Sequence, residues 1–171
     1  MNWKKIDVKT IDTNVFKMIG DEWMLITAKD QGRVNTMTAS WGGVGIMWGK
    51  PVATAYIRPQ RYTRELVEAQ DTFTLSFFGG EKKDAMGYLG KVSGRDEADK
   101  ITAAGLHVTE IDGAPSFEEA SLVLVCKKRY VQEMKEECFV GNEEIERWYP
   151  NKDYHVMYMA EIVDAYVPEG E

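Results

Sequence analysis

The feature that most constrains this chain is a series of short segments rich in Thr, Val, Ile and aromatic residues, each closed by a turn signal. Trp23–Ala28, Asn35–Trp41, Val52–Ile57 and Thr72–Phe78 have this character. β-branched and aromatic side chains suit a pleated, half-buried surface, so these segments read as strands. Ser121–Val131 opens as a continuous apolar run and then turns polar, as a long strand leaving a core does. Tyr154–Val167 is a second long strand. Asp30-Gln31-Gly32, Gly49-Lys50-Pro51, Gly79-Gly80, Asp112-Gly113 and Pro150-Asn151 supply the breaks. Helical stretches are fewer: Thr63–Ala69 with Thr63 as its cap, Lys82–Leu89, Asp96–Ala104 ahead of Gly105, and a short turn at Glu143–Trp148. Without βαβ alternation, the expected fold is mainly β, an antiparallel barrel with peripheral α-helices.

The length of 171 residues suits one domain over 1–171. With 28 acidic against 21 basic side chains the net charge is −7, which repels a polyphosphate backbone and excludes nucleic acid as the main partner. Any anion must therefore be held by a local basic cluster. No apolar run approaches the roughly 20 residues of a membrane helix. The opening MNWKKIDVKT has no apolar stretch behind its lysines, so no secretory signal is expected. Two cysteines, Cys126 and Cys138, make no disulfide framework, which points to a reducing cytoplasm.

Chemistry concentrates between Asn35 and Thr63. Alternation along the strand puts Asn35, Met37, Ala39 and Trp41 on one face and Thr36, Thr38 and Ser40 on the other. Such an edge offers hydroxyls and backbone groups to a planar heterocycle; the plainer alternative is a hydrated edge strand using Thr for its β-propensity. Arg58, Arg61 and Arg64 then fall at spacing three where a strand hands over to a helix. Guanidinium forks and free N–H groups at a helix start both suit a phosphate. The alternative is a solvated helix start with Arg64 paired to Glu68. Together, the two features point to a phosphorylated cofactor. Elsewhere signals are thin. Gly43-Val44-Gly45 is followed by Trp48 where the dinucleotide fingerprint needs glycine. Cys126, Cys138, His107 and His155 lack zinc-ligand spacing, so no metal site is expected. Cys126 reads as a small core residue and His155 as a hydrogen-bonded strand histidine.

The succession NTMTASW, a Pro-started strand, IRPQRYT, FTLSFF, GYLGKVSGRDEADK, GLHV and YPNKDYHVMYMAEIVDAYV resembles the flavin reductase-like family of FMN-binding split barrels, flavoredoxin-type members above all. The likeness runs from about Met18 to Pro168. It implies a six-stranded Greek-key split barrel, a homodimer, and one FMN per subunit. By motif, Asn35, Thr36, Met37, Thr38, Ala39, Ser40 and Trp41 would line the isoalloxazine and ribityl. Arg58, Pro59, Gln60, Arg61, Tyr62 and Thr63 would hold the phosphate. Lys91, Ser93 and His155 match segments that approach the flavin, and Lys91 or His155 would supply positive charge to the reduced ring. No side chain is assigned a catalytic role. The implied activity is an oxidoreductase taking electrons from NAD(P)H or a redox partner onto FMN. The alternatives are a non-catalytic electron carrier and a phosphate-ligand binding module.

Overall fold

The computed structural model describes residues 2–170. In chain order the strands and helices are β1 (Trp3–Ile6), β2 (Met24–Asp30), β3 (Arg33–Ala39), β4 (Gly42–Met47), β5 (Lys50–Ile57), α1 (Tyr62–Ala69), β6 (Thr72–Phe77), α2 (Lys83–Lys91), α3 (Lys100–Ala103), β7 (Val108–Ile111), β8 (Ala114–Phe117), β9 (Leu122–Glu133), α4 (Glu143–Trp148) and β10 (Val156–Pro168). Among the described residues no helix is long and apolar enough to cross a membrane.

Antiparallel pairing runs in the order β3-β2-β6-β9-β10-β5-β4, with β1 added on β10, and β7-β8 form a separate hairpin. The order departs from the sequence because α1 carries the chain from β5, beside β10, to β6, beside β2 and β9. The sheet curls so that Ile26, Ala55, Phe73, Leu75, Leu124 and Tyr158, from five different strands, share one interior. A second apolar cluster lies on its outer face, where Leu25, Val123 and Val125 meet Met86 and Leu89 of α2, Ile101 of α3 and Phe117 of β8. Strands covered on both faces need apolar residues at successive positions. That is why Leu25 and Ile26 are both fully buried, and why β9 opens with an unbroken apolar run before its far half reaches solvent.

The mainly β antiparallel barrel with peripheral helices matches the expectation, but ten strands replace six among the described residues. The glycine-rich GGVGIM is itself a strand, β4, and Gly42 lets its start lie close against β5. A Cβ at Gly42 would meet the Thr54 carbonyl oxygen at 2.8 Å and Met24 Cε at 2.9 Å. The helix expected over Asp96–Ala104 contracts to Lys100–Ala103, because Asp96 and Glu97 both donate their N–H groups to the Ser93 carbonyl in a turn. Thr63 is not the cap of its helix: Arg61 holds that place with no side-chain cap bond, while the Thr63 hydroxyl accepts from Asn35 Nδ2 at 2.8 Å.

Candidate functional site

Strand β3 ends the sheet path, and α1 begins beside it through the Asn35–Thr63 hydrogen bond. Between them and the end of α2 lies a cavity of about 200 Å³ lined by Asn35, Met37, Gln60, Arg61, Tyr62, Thr63, Lys91, Ser93, Gly94 and Lys100, with Val92. A second cavity, about 220 Å³, continues from Met37 and Arg61 along Thr38, Ala39, Ser40 and Trp41 to Tyr56, Arg58, Trp148 and His155. It opens in turn into a cleft of about 550 Å³ that shares Ser40, Trp41, Tyr56 and His155 and is walled by Val15, Phe16, Ile19, Val44 and Met134. The result is one groove with a polar end and an aromatic, then apolar, end.

The three arginines separate. Arg61 faces both smaller cavities and donates to the Gly90 carbonyl at 2.8 Å. Burial, and then the charge of Arg58, lower its pKa below the usual guanidinium value. Arg58 turns to Asp153, with Nη1 2.9 Å from Oδ2, and to the Trp148 carbonyl, 2.9 Å from Nη2. Arg64 lies over Glu68, Nε to Oε1 3.6 Å, the surface pairing that the i,i+4 spacing allows.

Lys100 was not legible as a site residue. Only 3% exposed, it spends two of its three ammonium donors on the Leu89 carbonyl at 3.2 Å and the Val92 carbonyl at 2.8 Å. Desolvation, with the Arg61 charge, pulls its pKa down to about 8. Neither Arg61 nor Lys100 has a carboxylate within ion-pair distance among the described residues. A cation withdrawn from water without a counter-charge is costly, so buried Lys100 and half-buried Arg61 together mark a place for an anion. The uncapped start of α1 adds free N–H groups at the same place. Gly94 keeps it open: a Cβ there would sit 2.1 Å from Asn35 Oδ1 and 3.1 Å from Tyr62 Cδ1. The donor set and the cradle fit a phosphate group.

At the other end, the Trp41 and Trp148 rings meet edge to face with centroids 4.9 Å apart, and His155 lies 5.3 Å from Trp41. The His155 Nδ1 shares a 2.8 Å hydrogen bond with the Tyr149 hydroxyl. Burial, and next the charge of Arg58, hold the His155 pKa at about 4, so the ring is neutral at physiological pH. This corrects the expectation of a positively charged His155; the cations lining this cavity are Arg58, which is paired with Asp153, and Arg61.

Fourteen of the sixteen residues expected at the cofactor line the two smaller cavities. Thr36 does not: its hydroxyl bonds Thr27 Oγ1 at 2.8 Å and the Ile26 carbonyl at 3.0 Å inside the barrel wall. Pro59 lies in the turn before α1, outside both linings. Thr38 likewise commits its hydroxyl to the Met86 carbonyl at 2.5 Å. The face that meets the groove is therefore mainly that of Asn35, Met37, Ala39 and Trp41, not the hydroxyl face. Besides Lys100, the sequence reading missed Gly94, Tyr56 and Trp148; a tryptophan closing a short helical turn was the signal available for Trp148.

Comparison with known proteins places the fold. An uncharacterized protein of Aeropyrum pernix is 32% identical over 120 residues, 69% of this chain, and the chain spans 44% of that protein's length. An FMN-binding domain of a flavin reductases-like enzyme from Shewanella baltica has a similar fold, with TM-score 0.70 and 20% identity over 97% of this chain and 77% of that one. An FMN-binding protein from Thermus thermophilus, solved with p-hydroxybenzaldehyde bound, gives TM-score 0.65 and 25% identity over 86% of this chain and 72% of that one. The flavin reductase like domain matches residues 18–171, and the chain belongs to that family.

Proposed function

We propose that this protein is an FMN-dependent oxidoreductase, cytoplasmic and homodimeric, that takes electrons from NAD(P)H or a redox partner and passes them to an acceptor. One observation carries the reading. Two cations with no carboxylate within ion-pair distance among the described residues, half-buried Arg61 and buried Lys100, sit at one end of a groove whose other end is walled by Trp41, Trp148 and His155. That arrangement suits a ligand with an anion at one end and a flat aromatic ring at the other. That the Thermus thermophilus FMN-binding protein also binds p-hydroxybenzaldehyde, a flat aromatic molecule, supports room for a second ligand of that shape.

Bound FMN supplies the capacity to accept two electrons and release them again. Arg61, Lys100, Thr63 and the first N–H groups of α1 would hold its phosphate and set its depth in the groove. Met37, Ala39 and Trp41 would orient the ring from the β3 side and exclude water. The Arg61 guanidinium, without a carboxylate partner among the described residues, would favour added negative charge on the cofactor. Neutral His155, held by Tyr149, contributes a polar edge without a charge.

The 550 Å³ cleft beyond the ring cavity favours an enzyme over a carrier, because it leaves room for a second flat molecule against the flavin face. Phe16 lines that cleft yet is 86% exposed, and Ile46, Met47 and Trp48 are exposed nearby on the β4–β5 hairpin; a second subunit would cover them. Anaerobic addition of NADH or NADPH to the FMN-loaded protein tests the activity. Rapid bleaching of the flavin is expected, and a flavin left oxidised by both donors leaves the carrier reading in its place.

A further inference from the structure

We propose that Arg58 and Asp153 form a latch that holds Trp148 against the ring cavity, so that Arg58 positions the aromatic wall and does not bind the phosphate. This rests on the flavin reading above. The guanidinium of Arg58 is already engaged by the protein: Nη1 meets Asp153 Oδ2 at 2.9 Å and the Asp153 carbonyl at 3.4 Å, and Nη2 meets the Trp148 carbonyl at 2.9 Å. Its Cζ lies over the Tyr149 ring, 5.1 Å from the centroid. Arg61, by contrast, has Gly90 as its hydrogen-bond partner and no carboxylate within ion-pair distance among the described residues, so its remaining donors face the anion cavity.

The latch grips one short segment at both ends. Trp148 closes α4, Asp153 lies just before β10, and Lys152 between them adopts a left-handed φ of 55°. Gln60, two residues after Arg58, reinforces the far end by donating Nε2 to Asp153 Oδ2 at 2.8 Å. The segment carries Trp148, which packs on Trp41, and Tyr149, which holds His155. Opening the latch would therefore withdraw one wall of the ring cavity and free the histidine. A partly solvent-shielded arginine held at once by one carboxylate oxygen and two backbone carbonyls has the geometric stiffness such a role needs. Arg58 and Asp153 are one-quarter or less exposed, at 25% and 22%.

Equilibrium titration with FMN and with riboflavin separates latch from phosphate ligand, because riboflavin has the ring without the phosphate. Arg58→Gln and Asp153→Asn should each weaken both flavins by the same factor, roughly three- to tenfold, leaving the preference for FMN intact. The double variant should be no weaker than either single one, since both break one contact. Arg61→Ala is the reference and should sharply reduce the preference, leaving only what Lys100 and the α1 N–H groups supply. An Arg58→Gln protein that loses its preference for FMN as Arg61→Ala does overturns the proposal, as does unchanged affinity for both flavins. A second readout needs no flavin. Trypsin should cleave after Arg147 or Lys152 faster in Asp153→Asn and Arg58→Gln than in the unaltered flavin-free protein, and equal rates overturn the latch. If the unaltered protein binds neither flavin, the functional reading fails, and the trypsin rates alone decide the latch.

Discussion

Replacing Lys100 with Met separates what this residue does for binding from what it does for stability. Met keeps most of the stem's volume in the space beside Leu89 and Val92 and removes the charge. Holding the ammonium in the cavity lowers its pKa from 10.5 to about 8, which corresponds to on the order of 3 kcal/mol of lost folding stability. The variant recovers that amount but leaves the Leu89 and Val92 carbonyls without a donor, at about 1–3 kcal/mol each. The two effects nearly cancel, so urea unfolding of the flavin-free protein at pH 7 should change little. Binding should change much more. Loss of one charge-assisted contact to phosphate costs about 1.5–3 kcal/mol, so FMN affinity should fall by roughly 10- to 150-fold while riboflavin affinity stays put. The pH dependence follows with a definite sign. Between pH 8 and 10.5 the unfolded chain holds a proton on Lys100 that the folded flavin-free protein has released, so stability contributed by this group rises with pH through that window. Lys100→Met should abolish that rise. Equal losses for FMN and riboflavin, or no loss for FMN, would refute the assignment of Lys100 to the anion cavity.

Gly94→Ala places a methyl group 2.1 Å from Asn35 Oδ1, so Asn35 must move and release Thr63. Stability should drop by about 1–3 kcal/mol and FMN affinity should fall with it, checked by denaturant unfolding and flavin titration. His155, ordinarily titrating at 6.5, is held at about 4, so the unfolded chain binds the extra proton first as acid is added. Stability should therefore fall between pH 6.5 and 4, by about 2 kcal/mol at pH 5, and His155→Gln should flatten that limb of the stability curve. An acid limb identical in the two proteins would show that His155 titrates freely.

The barrel was legible because both-face burial writes itself as unbroken apolar runs, as in Leu122–Cys126. Strand β4 was not, because its glycines carry no β-propensity and it is shaped by the close approach of β5 at Gly42. Within the site, spacing found Arg61 but could not tell it from its neighbours. Arg58 and Arg64 differ from it only in partners, and Asp153 lies 95 residues from Arg58 in the chain. The pairing of Arg64 with Glu68 was legible, since it is local. Lys100 carried no signal at all. Its role comes from facing the carbonyls at the end of α2 and the start of α1 together, a juxtaposition that only the fold creates. The hydroxyls of Thr36 and Thr38 misled for the converse reason: polar side chains on a strand read as ligand contacts, but here they satisfy carbonyls of the protein itself.

FMN held through the cationic end of this groove should be visible in the absorption spectrum of the purified protein after incubation with excess FMN and removal of free flavin. Flavin bands are expected to remain with the protein in stoichiometric amount. A protein that stays colourless would contradict FMN binding in this groove.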